Sequence, residues 1–248
     1  MLIDFCLPVR NEAKILQANA LKLKSFLETR ALAADWQIVI IVNGSDDTSS
    51  LIAAELVKTG GGRFKMENIE PGGKGLALRY YFFQSSADVL VFMDVDLAVA
   101  LDNISALITP LLDGSADLVM GSRLLPESKT SRSWSRSIVS RVYNHFSRLI
   151  LGHRYSDLQC GFKAISRELF RQIAPFWQDN NWFFDTELVI SAWCRGFRIK
   201  EIPVDWRENR YDKKASKIRV WIDSWVFAKN LIGLRIRLKK IRRYRDNV

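Results

Sequence analysis

The amino-acid sequence predicts an α/β fold in which a mostly parallel sheet is flanked by helices. Three observations predict it. Short apolar segments alternate with segments of helical periodicity, which is the pattern of crossover connections between parallel strands. Polar motifs directly follow four of the predicted strands, and such sheets bind ligands at the carboxyl ends of their strands. The 248 residues are 48% hydrophobic and 26% charged, an ordinary globular composition.

The first half of the chain contains most of the predicted elements. The predicted strands are Leu2–Val9, Trp36–Val42, Arg63–Asn68, Val89–Met93 and Asp117–Met120. Amphipathic spacing and turn residues predict helices between them, over Glu12–Thr29, Ser50–Lys58 and Leu76–Ser85. From about Ser128 the character of the sequence changes, and Trp134–Gly152 predicts a long helix with one apolar face.

Composition narrows the class of protein. The net charge of +10 indicates an anionic partner such as phosphate, acidic lipid or nucleic acid. Three widely spaced cysteines, Cys6, Cys160 and Cys194, predict a reducing compartment and no disulfide framework. We expect no signal peptide. The longest apolar run near the C-terminus is broken by Asp223 and Lys229, so we expect no spanning helix either.

Two aspartates, Asp94 and Asp96, end the apolar run VLVFMDVDLAV. Residues two apart on an extended strand face the same side, so both carboxylates could reach one ligand. Oxygen ligands of this kind suit a divalent cation that is shared with a diphosphate. A helix N-cap followed by a solvated acid explains the same two residues equally well. The pair alone therefore leaves both a metal site and a capping role open.

Two further motifs follow predicted strands and suit a nucleotide. PGGKG places Lys74 in a glycine-rich loop before a helix, where backbone can approach phosphate closely. Its spacing is not that of an ATP-hydrolysing phosphate loop, and a surface turn is the alternative. Glu12 and the run from Asn43 to Asp47 would lie side by side at the first two strand ends, where they suit a base or ribose. Helix capping is the alternative for these residues, above all for Asp47.

Two motifs in the second half put charged side chains among aromatic residues. They are DLQCGFKA and NWFFDTEL, at Asp157–Ala164 and Asn181–Leu188. We expect the aromatic residues Trp182 and Phe184 to be core residues rather than a substrate platform. Asp185 and Glu187 are better functional candidates, because carboxylates with apolar neighbours need a compensating partner.

The C-terminal region is basic and contains the segments YDKKASKIR and RIRLKKIRRYR. A solvated helix face is the simplest explanation for such charges. Trp221 and Trp225 lie between the two segments, however, and basic residues interleaved with tryptophan suit a membrane surface. Both interpretations stay open on the residues alone.

Taken in order, these motifs resemble those of the family 2 glycosyltransferases. The resemblance is greatest to the polyprenyl-phosphate branch, which includes the dolichyl-phosphate mannose and glucose synthases. It covers about Leu2–Lys217, and the motifs that carry it are LPVRNE, VNGSDDTS, GGKGLALR, DVDLAV, GSR, DLQCGFKA, WFFDTEL and EIPVDW…ASK. QCGFK followed by W-x-FD-x-E and a later SK pair is far more specific than DxD alone.

The resemblance implies a glycosyltransferase type A (Rossmann-like) fold, a nucleotide-diphosphate-sugar donor and inversion at the anomeric carbon. Residues 1–212 would form the catalytic domain, with a nucleotide-sugar-binding half at 1–121 and an acceptor half at 122–212. Residues 213–248 would form a tail of basic amphipathic helices at the membrane surface.

The resemblance also implies roles for individual residues. The nucleoside pocket would be lined by Pro8, Arg10, Asn11, Glu12, Asn43 and Asp47. Lys74 would lie near the donor diphosphate, and Asp94 and Asp96 would hold Mg²⁺ or Mn²⁺. Arg123 would face the acceptor phosphate. The sugar would be met by Gln159, Asp185 and Glu187, and the phosphate would be closed over by Ser216 and Lys217. The residues expected to act in catalysis are Asp96, Arg123, Asp185, Glu187 and Lys217.

Several alternatives stay open. The family often has paired acids after the second strand, whereas Val42 and Asn43 stand there, so neither a GDP-mannose nor a UDP-glucose type donor is excluded. A phosphate acceptor is already ionised, but a sugar or lipid hydroxyl would need Asp185 or Glu187 as a base. A nucleic-acid-binding protein would explain the charge, yet the sequence has none of the recognition signatures. A catalytically inactive sugar-nucleotide sensor is the remaining class.

The resemblance also implies a location. A polyprenyl phosphate, dolichyl or undecaprenyl, stays in the bilayer with its phosphate at the headgroup level. Basic, tryptophan-bearing faces on Trp134–Ile150 and Trp221–Arg245 would hold the protein peripherally on an anionic membrane surface, at its cytoplasmic face. We expect no nucleic-acid partner, and the sequence leaves the sugar and the oligomeric state open.

Overall fold

The computed structural model describes residues 1–131, 134–207 and 227–238, without the side chains of residues 135 and 136. The strands are β1 Leu2–Val9, β2 Asp35–Asn43, β3 Phe64–Ile69, β4 Val89–Met93, β5 Leu118–Ser122, β6 Lys129–Ser131, β7 Phe162–Ser166, β8 Ile199–Pro203 and β9 Asp205–Arg207. The helices are α1 Ala13–Thr29, α2 Ser49–Thr59, α3 Lys74–Gln84, α4 Asn103–Leu112, α5 Trp134–Leu151, α6 Arg167–Ile173 and α7 Phe184–Cys194. Residues 227–238 are also helical.

Seven strands form the central sheet, in the order β3-β2-β1-β4-β7-β5-β8. The pairs β1 with β2, β1 with β4, β2 with β3 and β5 with β8 are parallel. The inserted strand β7 is antiparallel to both of its neighbours, β4 and β5. The predicted mostly parallel sheet with flanking helices is therefore confirmed, and β7 is its exception. A parallel pair, β6 with β9, forms a second, small sheet.

The sheet is buried on both faces, which explains why β1, β2 and β4 are almost continuously apolar. One face packs against α1, α2 and α4, and the other packs against α3, α6, α7 and residues 227–238. The amphipathic spacing of α1 follows from this packing, because Leu16, Leu23 and Leu27 are its inward residues. The layers thus hold the ends of β1, β2, β4 and β5 at one edge.

Helix α5 has an apolar face that stays exposed in the described part of the chain. Its exposed large apolar residues are Trp134, Ile138, Val139, Val142, Phe146 and Leu149. In residues 227–238, Leu231, Leu234 and Leu238 are buried, whereas Ile232 and Ile236 are exposed. Among the residues that the structure describes, no helix is both long and apolar enough to cross a bilayer.

The predicted tail lies largely outside the described residues. Ser216 and Lys217, predicted to close over phosphate, belong to that undescribed part, as does most of the range 213–248. Their predicted roles therefore stay predictions.

Candidate active site

The polar motifs converge because β7 runs against its neighbours. Met93, at the carboxyl end of β4, pairs with Phe162, at the amino end of β7. The residues just before β7 therefore lie beside those just after β4. A Cβ atom added to Gly161 would stand 2.6 Å from Asp94 Oδ2. The QCGFK and DVD motifs, 65 residues apart in sequence numbering, thus form one edge of the site.

Asp94 and Asp96 lie in a turn, because β4 ends at Met93. The expectation that both share one face of an extended strand is wrong. The amide of Leu97 donates to the Asp94 carbonyl over 3.1 Å, and Asp96 Oδ1 accepts from the Ala98 amide at 3.1 Å. The turn leaves the Asp94 side chain 47% exposed. Its carboxylate is therefore open to a ligand.

Lys74 faces the same aspartate from the first residue of α3. Its Nζ atom lies 2.6 Å from Asp94 Oδ1, and its side chain is only 8% exposed. Burial is the largest influence on the pKa of Lys74 and lowers it. The charges of Asp94 and then Asp185 outweigh burial, so the pKa lies above its ordinary value. Lys74 is therefore a buried, charged ammonium at the end of β4, where a phosphate oxygen could share it.

Asp94 and Asp96 are the carboxylates at this edge that could hold a divalent cation. Hard cations such as Mg²⁺ take carboxylate oxygens and commonly complete their ligand set from substrate phosphates and water. The glycine at position 161 leaves open the space beside Asp94 Oδ2 that a side chain would fill. Within the described ranges, no group of three or more histidines, cysteines or acids is placed to hold a metal ion. A cation held here would therefore take its remaining ligands from a substrate or from water.

We expect Gly161→Ala to impair the site with little effect on the rest of the fold. The new Cβ atom would meet Asp94 Oδ2 at 2.6 Å and Lys74 Nζ at 2.8 Å, closer than van der Waals contact allows. The two side chains would have to separate, so activity should fall about tenfold to a hundredfold, as misplacement of catalytic groups does. Steady-state kinetics and thermal melting measure the two effects. Gly233→Ala is the control, because a Cβ atom at Gly233 would meet nothing within 4 Å.

A buried ion pair, Lys163 with Asp185, lies next to this edge. Lys163 Nζ donates to the Asp185 carboxylate and also to the carbonyls of Leu158, at 3.0 Å, and Cys160, at 2.6 Å. Both charged side chains are almost fully buried. Burial, the largest influence, raises the pKa of Asp185 above its ordinary value, although Lys163 and then Lys74 lower it. Lys163 thus ties the loop before β7 to the start of α7.

Glu187 has a different environment from Asp185. Its Oε2 atom accepts from the amides of Gln178, at 2.8 Å, and Asp179, at 2.7 Å. Its Oε1 atom pairs with the guanidinium of Arg237. The carboxylate is buried and already has three donors. These contacts favour a structural role for Glu187, as an anchor between residues 227–238 and the loop before α7.

That loop in turn holds the glycine-rich loop. The amides of Gly75 and Leu76 donate to the carbonyls of Asn181, at 3.1 Å, and Asn180, at 3.0 Å. A Cβ atom at Gly73 would stand only 2.5 Å from the Asn180 carbonyl oxygen, so the close approach needs glycine. The position of Lys74 is therefore set by the segment just before α7.

The two aromatic residues of that segment differ. Phe184 is buried in the core, as predicted. Its ring stacks on that of Trp177. Trp182 was expected in the core but is 46% exposed, with its ring centroid 5.4 Å from Lys74 Nζ. The prediction for Trp182 is wrong because the core begins only at the next residues, Phe183 and Phe184, and Trp182 lies outside it.

The residues predicted to line the nucleoside pocket lie at the carboxyl ends of β1 and β2 and in the segments that follow these strands. They are Pro8, Arg10, Asn11, Glu12, Asn43 and Asp47. The side-chain Nδ2 atom of Asn43 donates to the Val9 carbonyl at 2.9 Å, and its Oδ1 atom accepts from the Gly73 amide at 3.0 Å. The Arg10 guanidinium lies against Gly72. These contacts join both strand ends to the glycine-rich loop.

Asp47 contacts the starts of two helices. Its carboxylate accepts from the amide of Ala13 at 3.0 Å and from the amide of Ser49 at 2.9 Å. Burial opposes ionisation, but the hydrogen bonds from Ser49 and Ala13 hold the pKa of Asp47 below its ordinary value. Nearby, Asn11 Oδ1 accepts from the Asp46 amide at 2.9 Å. The capping role that the sequence left open for Asp47 is thus present in the structure.

Arg123 follows β5 and is held by a buried carboxylate. Its Nε atom lies 2.7 Å and its Nη2 atom 3.0 Å from the two oxygens of Asp157. Burial opposes the charge of both groups, yet their attraction raises the pKa of Arg123 and lowers that of Asp157. A forked pair of this kind fixes the plane of the guanidinium. Arg123 is therefore held in one orientation at the end of β5.

Gln159 belongs to a chain of hydrogen bonds between three elements. Its Nε2 atom donates to Thr186 Oγ1 at 2.8 Å, and Tyr143 Oη lies 2.6 Å from the same oxygen. Tyr143 lies on α5 and Thr186 on α7. The chain therefore couples the loop before β7 to the helix with the exposed apolar face.

Sequence reasoning missed four residues that the structure brings into the site. They are Asp157, Gly161, Lys163 and Trp182. Three of them lie within the DLQCGFKA motif, which was noted as a whole. A buried lysine among apolar neighbours needs a carboxylate partner, and that argument could have paired Lys163 with an acid in NWFFDTEL. Nothing local signals the exposure of Trp182.

Comparison with known proteins agrees with this geometry. The model of glycosyl transferase family 2 matches residues 4–174. Glycosyltransferase AglD of Haloferax volcanii is 34% identical over 217 residues, which are 88% of this chain and 35% of that protein. The dolichyl-phosphate beta-glucosyltransferase of Saccharomyces cerevisiae is 31% identical over 242 residues, which are 90% of this chain and 70% of that protein. Two dolichyl-phosphate beta-glucosyltransferases of Trichomonas vaginalis, ALG5D and ALG5C, are also longer than this chain, which spans 66% and 63% of them.

Solved structures show the same fold. Glucosyl-3-phosphoglycerate synthase from Mycobacterium tuberculosis, crystallised with Mn²⁺, UDP and phosphoglyceric acid, superposes with a TM-score of 0.66 at 21% identity. The match covers 95% of this chain and 77% of that protein. The family model, the yeast relative and the architecture together show that the chain belongs to glycosyl transferase family 2.

Proposed function

We propose that the protein transfers a hexose, with inversion, from a nucleotide-diphosphate sugar to a polyprenyl phosphate, such as dolichyl or undecaprenyl phosphate. The observation that carries this proposal is the group formed by Asp94, Asp96 and Lys74 at the carboxyl end of β4, beside Gly161. A leaving diphosphate is stabilised by positive charge, and this group offers the Lys74 ammonium together with carboxylates that could hold a cation. The dolichyl-phosphate relatives supply the acceptor class.

The chain's own residues have distinct roles in this reaction. Asp94 and Asp96 would hold Mg²⁺ or Mn²⁺, which supplies charge stabilisation to the leaving diphosphate when bound. Lys74 would donate to a diphosphate oxygen while Asp94 turns to the cation. The Mycobacterium tuberculosis synthase was crystallised with Mn²⁺ and UDP, which supports a metal in a related fold. The residues at the carboxyl ends of β1 and β2 and just after them would hold the nucleoside.

A phosphate acceptor agrees better with the contacts than a hydroxyl acceptor does. A phosphate is ionised at neutral pH and can attack the anomeric carbon without a strong base. A hydroxyl would need Asp185 or Glu187 as base, but Lys163 holds the first, and two amides and Arg237 hold the second. Arg123, fixed by Asp157, would receive the acceptor phosphate. Ser216 and Lys217 keep their proposed role of closing over phosphate.

A donor and acceptor panel tests the proposal. UDP-glucose, UDP-N-acetylglucosamine and GDP-mannose, each radiolabelled in the sugar, are offered with polyprenyl phosphate and Mn²⁺. Transfer of label to the organic phase with one donor and release of its nucleoside diphosphate are expected. Transfer only to free sugars or to a lipid alcohol would support the hydroxyl alternative instead. Binding of a donor without any release of nucleoside diphosphate would indicate a sensor and contradict the proposal.

The same proposal includes domain organisation and location. Residues 1–121 would bind the donor, residues 122–212 the acceptor, and the basic tail 213–248 the headgroups. We propose peripheral attachment to the cytoplasmic face of an anionic membrane, with no nucleic-acid partner. The exposed apolar residues of α5 and the net charge of +10 support this, because an amphipathic helix binds anionic lipid through both its apolar face and its charge.

Sedimentation with anionic vesicles is expected to carry the protein down at low salt and less of it at high salt. Phe146→Glu places a charge on the exposed face of α5, where Phe146 is 53% exposed, and should weaken binding several-fold. Leu51→Glu, on α2 in the opposite helix layer, is the matched control because Leu51 is also exposed. If the sedimented fraction of protein does not change with lipid charge, with salt or with Phe146→Glu, peripheral attachment is contradicted.

A further inference from the structure

Trp182 is exposed where the chain could have buried it. The next two residues, Phe183 and Phe184, are core residues, whereas Trp182 is 46% exposed. Tryptophan has the largest apolar surface of the side chains, and leaving it in water forgoes the free energy of burying it. An exposed indole next to a charged side chain, here Lys74, is therefore a candidate contact surface for a ligand.

The backbone on both sides of this residue is fixed. Asp179 Oδ1 accepts from the amides of Asn181, at 2.8 Å, and Phe183, at 3.0 Å. The Asn181 carbonyl accepts from the Gly75 amide. Trp182 thus stands between two anchored residues, and its ring is presented on a rigid segment. A preorganised aromatic surface loses little conformational entropy when a ligand stacks on it.

The indole borders the groups that would hold the donor diphosphate. Its centroid lies 5.4 Å from Lys74 Nζ, which is bound to Asp94. Asp185, three residues further along the chain, lies in the first turn of α7. The strand ends that would hold the nucleoside belong to β1 and β2, which lie on one side of β4 in the sheet, whereas β7 lies on the other side. Asp185 pairs with Lys163 of β7, so the helix that Trp182 precedes is joined to the β7 side of β4, away from β1 and β2.

The chemistry of the donor identifies what lies there. In a nucleotide-diphosphate sugar, the nucleoside and the hexose are joined to opposite ends of the diphosphate. A hexose has an uncharged face of C–H groups that can stack on an aromatic ring, and hydroxyls at its edge that need polar partners. We propose that Trp182 is the platform on which the donor hexose stacks. This inference rests on the proposed function and adds a residue that determines recognition of the sugar.

Paired binding measurements test the platform. Affinities of wild type and Trp182→Ala are measured calorimetrically, with Mn²⁺, for UDP against UDP-glucose and for GDP against GDP-mannose. Trp182→Ala is expected to weaken the nucleotide sugar about tenfold and leave the nucleoside diphosphate nearly unchanged, since one stacked ring is lost. Trp182→Phe should retain most of the difference, and Trp182→Leu should lose it. The ratio of the two affinities cancels any change at Lys74, which both ligands contact.

Phe83→Ala is the matched control, because Phe83 is also an exposed aromatic residue, on α3, and its removal should leave both affinities unchanged. An equal loss for sugar and nucleoside diphosphate in Trp182→Ala, or no loss, would overturn the platform while leaving the proposed function intact. Failure of the wild type to bind either pair would overturn both proposals. Circular dichroism checks each variant's fold, which an exposed substitution should preserve.

Discussion

Replacing Asp94 or Asp96 by asparagine is expected to lower sugar transfer about 10³-fold, because removal of one preorganised charge-stabilising group costs this much. Asparagine keeps the shape of the side chain and removes its charge. In Asp94→Asn, Lys74 also loses the negative charge of the partner that lies 2.6 Å from its Nζ atom. In Asp96→Asn, the side-chain oxygen can still accept from the Ala98 amide, so the turn should persist. The loss should therefore report the cation and not a collapse of the turn.

Two measurements separate these explanations. Transfer is measured over a series of Mn²⁺ concentrations, and Mn²⁺ binding is measured directly by electron paramagnetic resonance in the presence of UDP or GDP. Both variants should bind Mn²⁺ more weakly while their melting temperatures stay near that of wild type. Glu55→Gln removes an exposed carboxylate from α2 and serves as the control. Full activity in both aspartate variants, or unchanged Mn²⁺ binding, would contradict the assignment of the metal ligands.

The parallel part of the fold was predictable because each strand is a local signal. β1, β2 and β4 are buried on both faces, so their sequences are apolar runs that end in turn residues. Their carboxyl ends meet at one edge once the crossovers are helical. The polar motifs after β1, β2, β4 and β5 could therefore be placed together without knowing the strand order.

The antiparallel strand β7 could not be predicted in the same way. Its position between β4 and β5 depends on pairings between residues far apart in the chain, such as Met93 with Phe162 and Met120 with Lys163, which no local pattern encodes. The contact between Gly161 and Asp94 follows from that pairing, as does the burial of Lys163 against Asp185. The most informative contacts of the site are thus long-range consequences of one strand direction.

Several predicted site residues have a structural contact that the sequence could not rank. Asn43 joins two strand ends to the glycine-rich loop, and Asp47 binds the starts of two helices. Glu187 anchors a loop and pairs with Arg237. A side-chain carboxylate or amide that can bind a ligand can also bind a backbone amide, and only the folded structure shows which of the two it contacts. Conversely, the sequence context of Trp182 predicts a core residue, whereas the structure exposes it.

Replacing Lys163 by methionine is expected to cost about 3–5 kcal/mol of the free energy of unfolding, because one partner of a buried ion pair is removed. The ammonium also bonds the carbonyls of Leu158 and Cys160, and these would lose their donor. Methionine fills a similar volume, so the cost reports charge and hydrogen bonding and not a cavity. Urea denaturation of the variant and of wild type measures it. Lys24→Met, which breaks the surface pair with Glu28, should cost less than about 1 kcal/mol.

The pH dependence of that loss identifies its cause. Burial already raises the pKa of Asp185 in the folded protein, and without Lys163 the pKa should rise further. An acid whose folded pKa exceeds its unfolded value destabilises the fold at high pH and ceases to do so once it is protonated. The deficit of Lys163→Met should therefore shrink as the pH falls from 8 to about 5, and Lys163→Met with Asp185→Leu should recover part of it at pH 8. A deficit independent of pH, with no recovery in the double variant, would show that the lost carbonyl contacts dominate and that the ion pair contributes little.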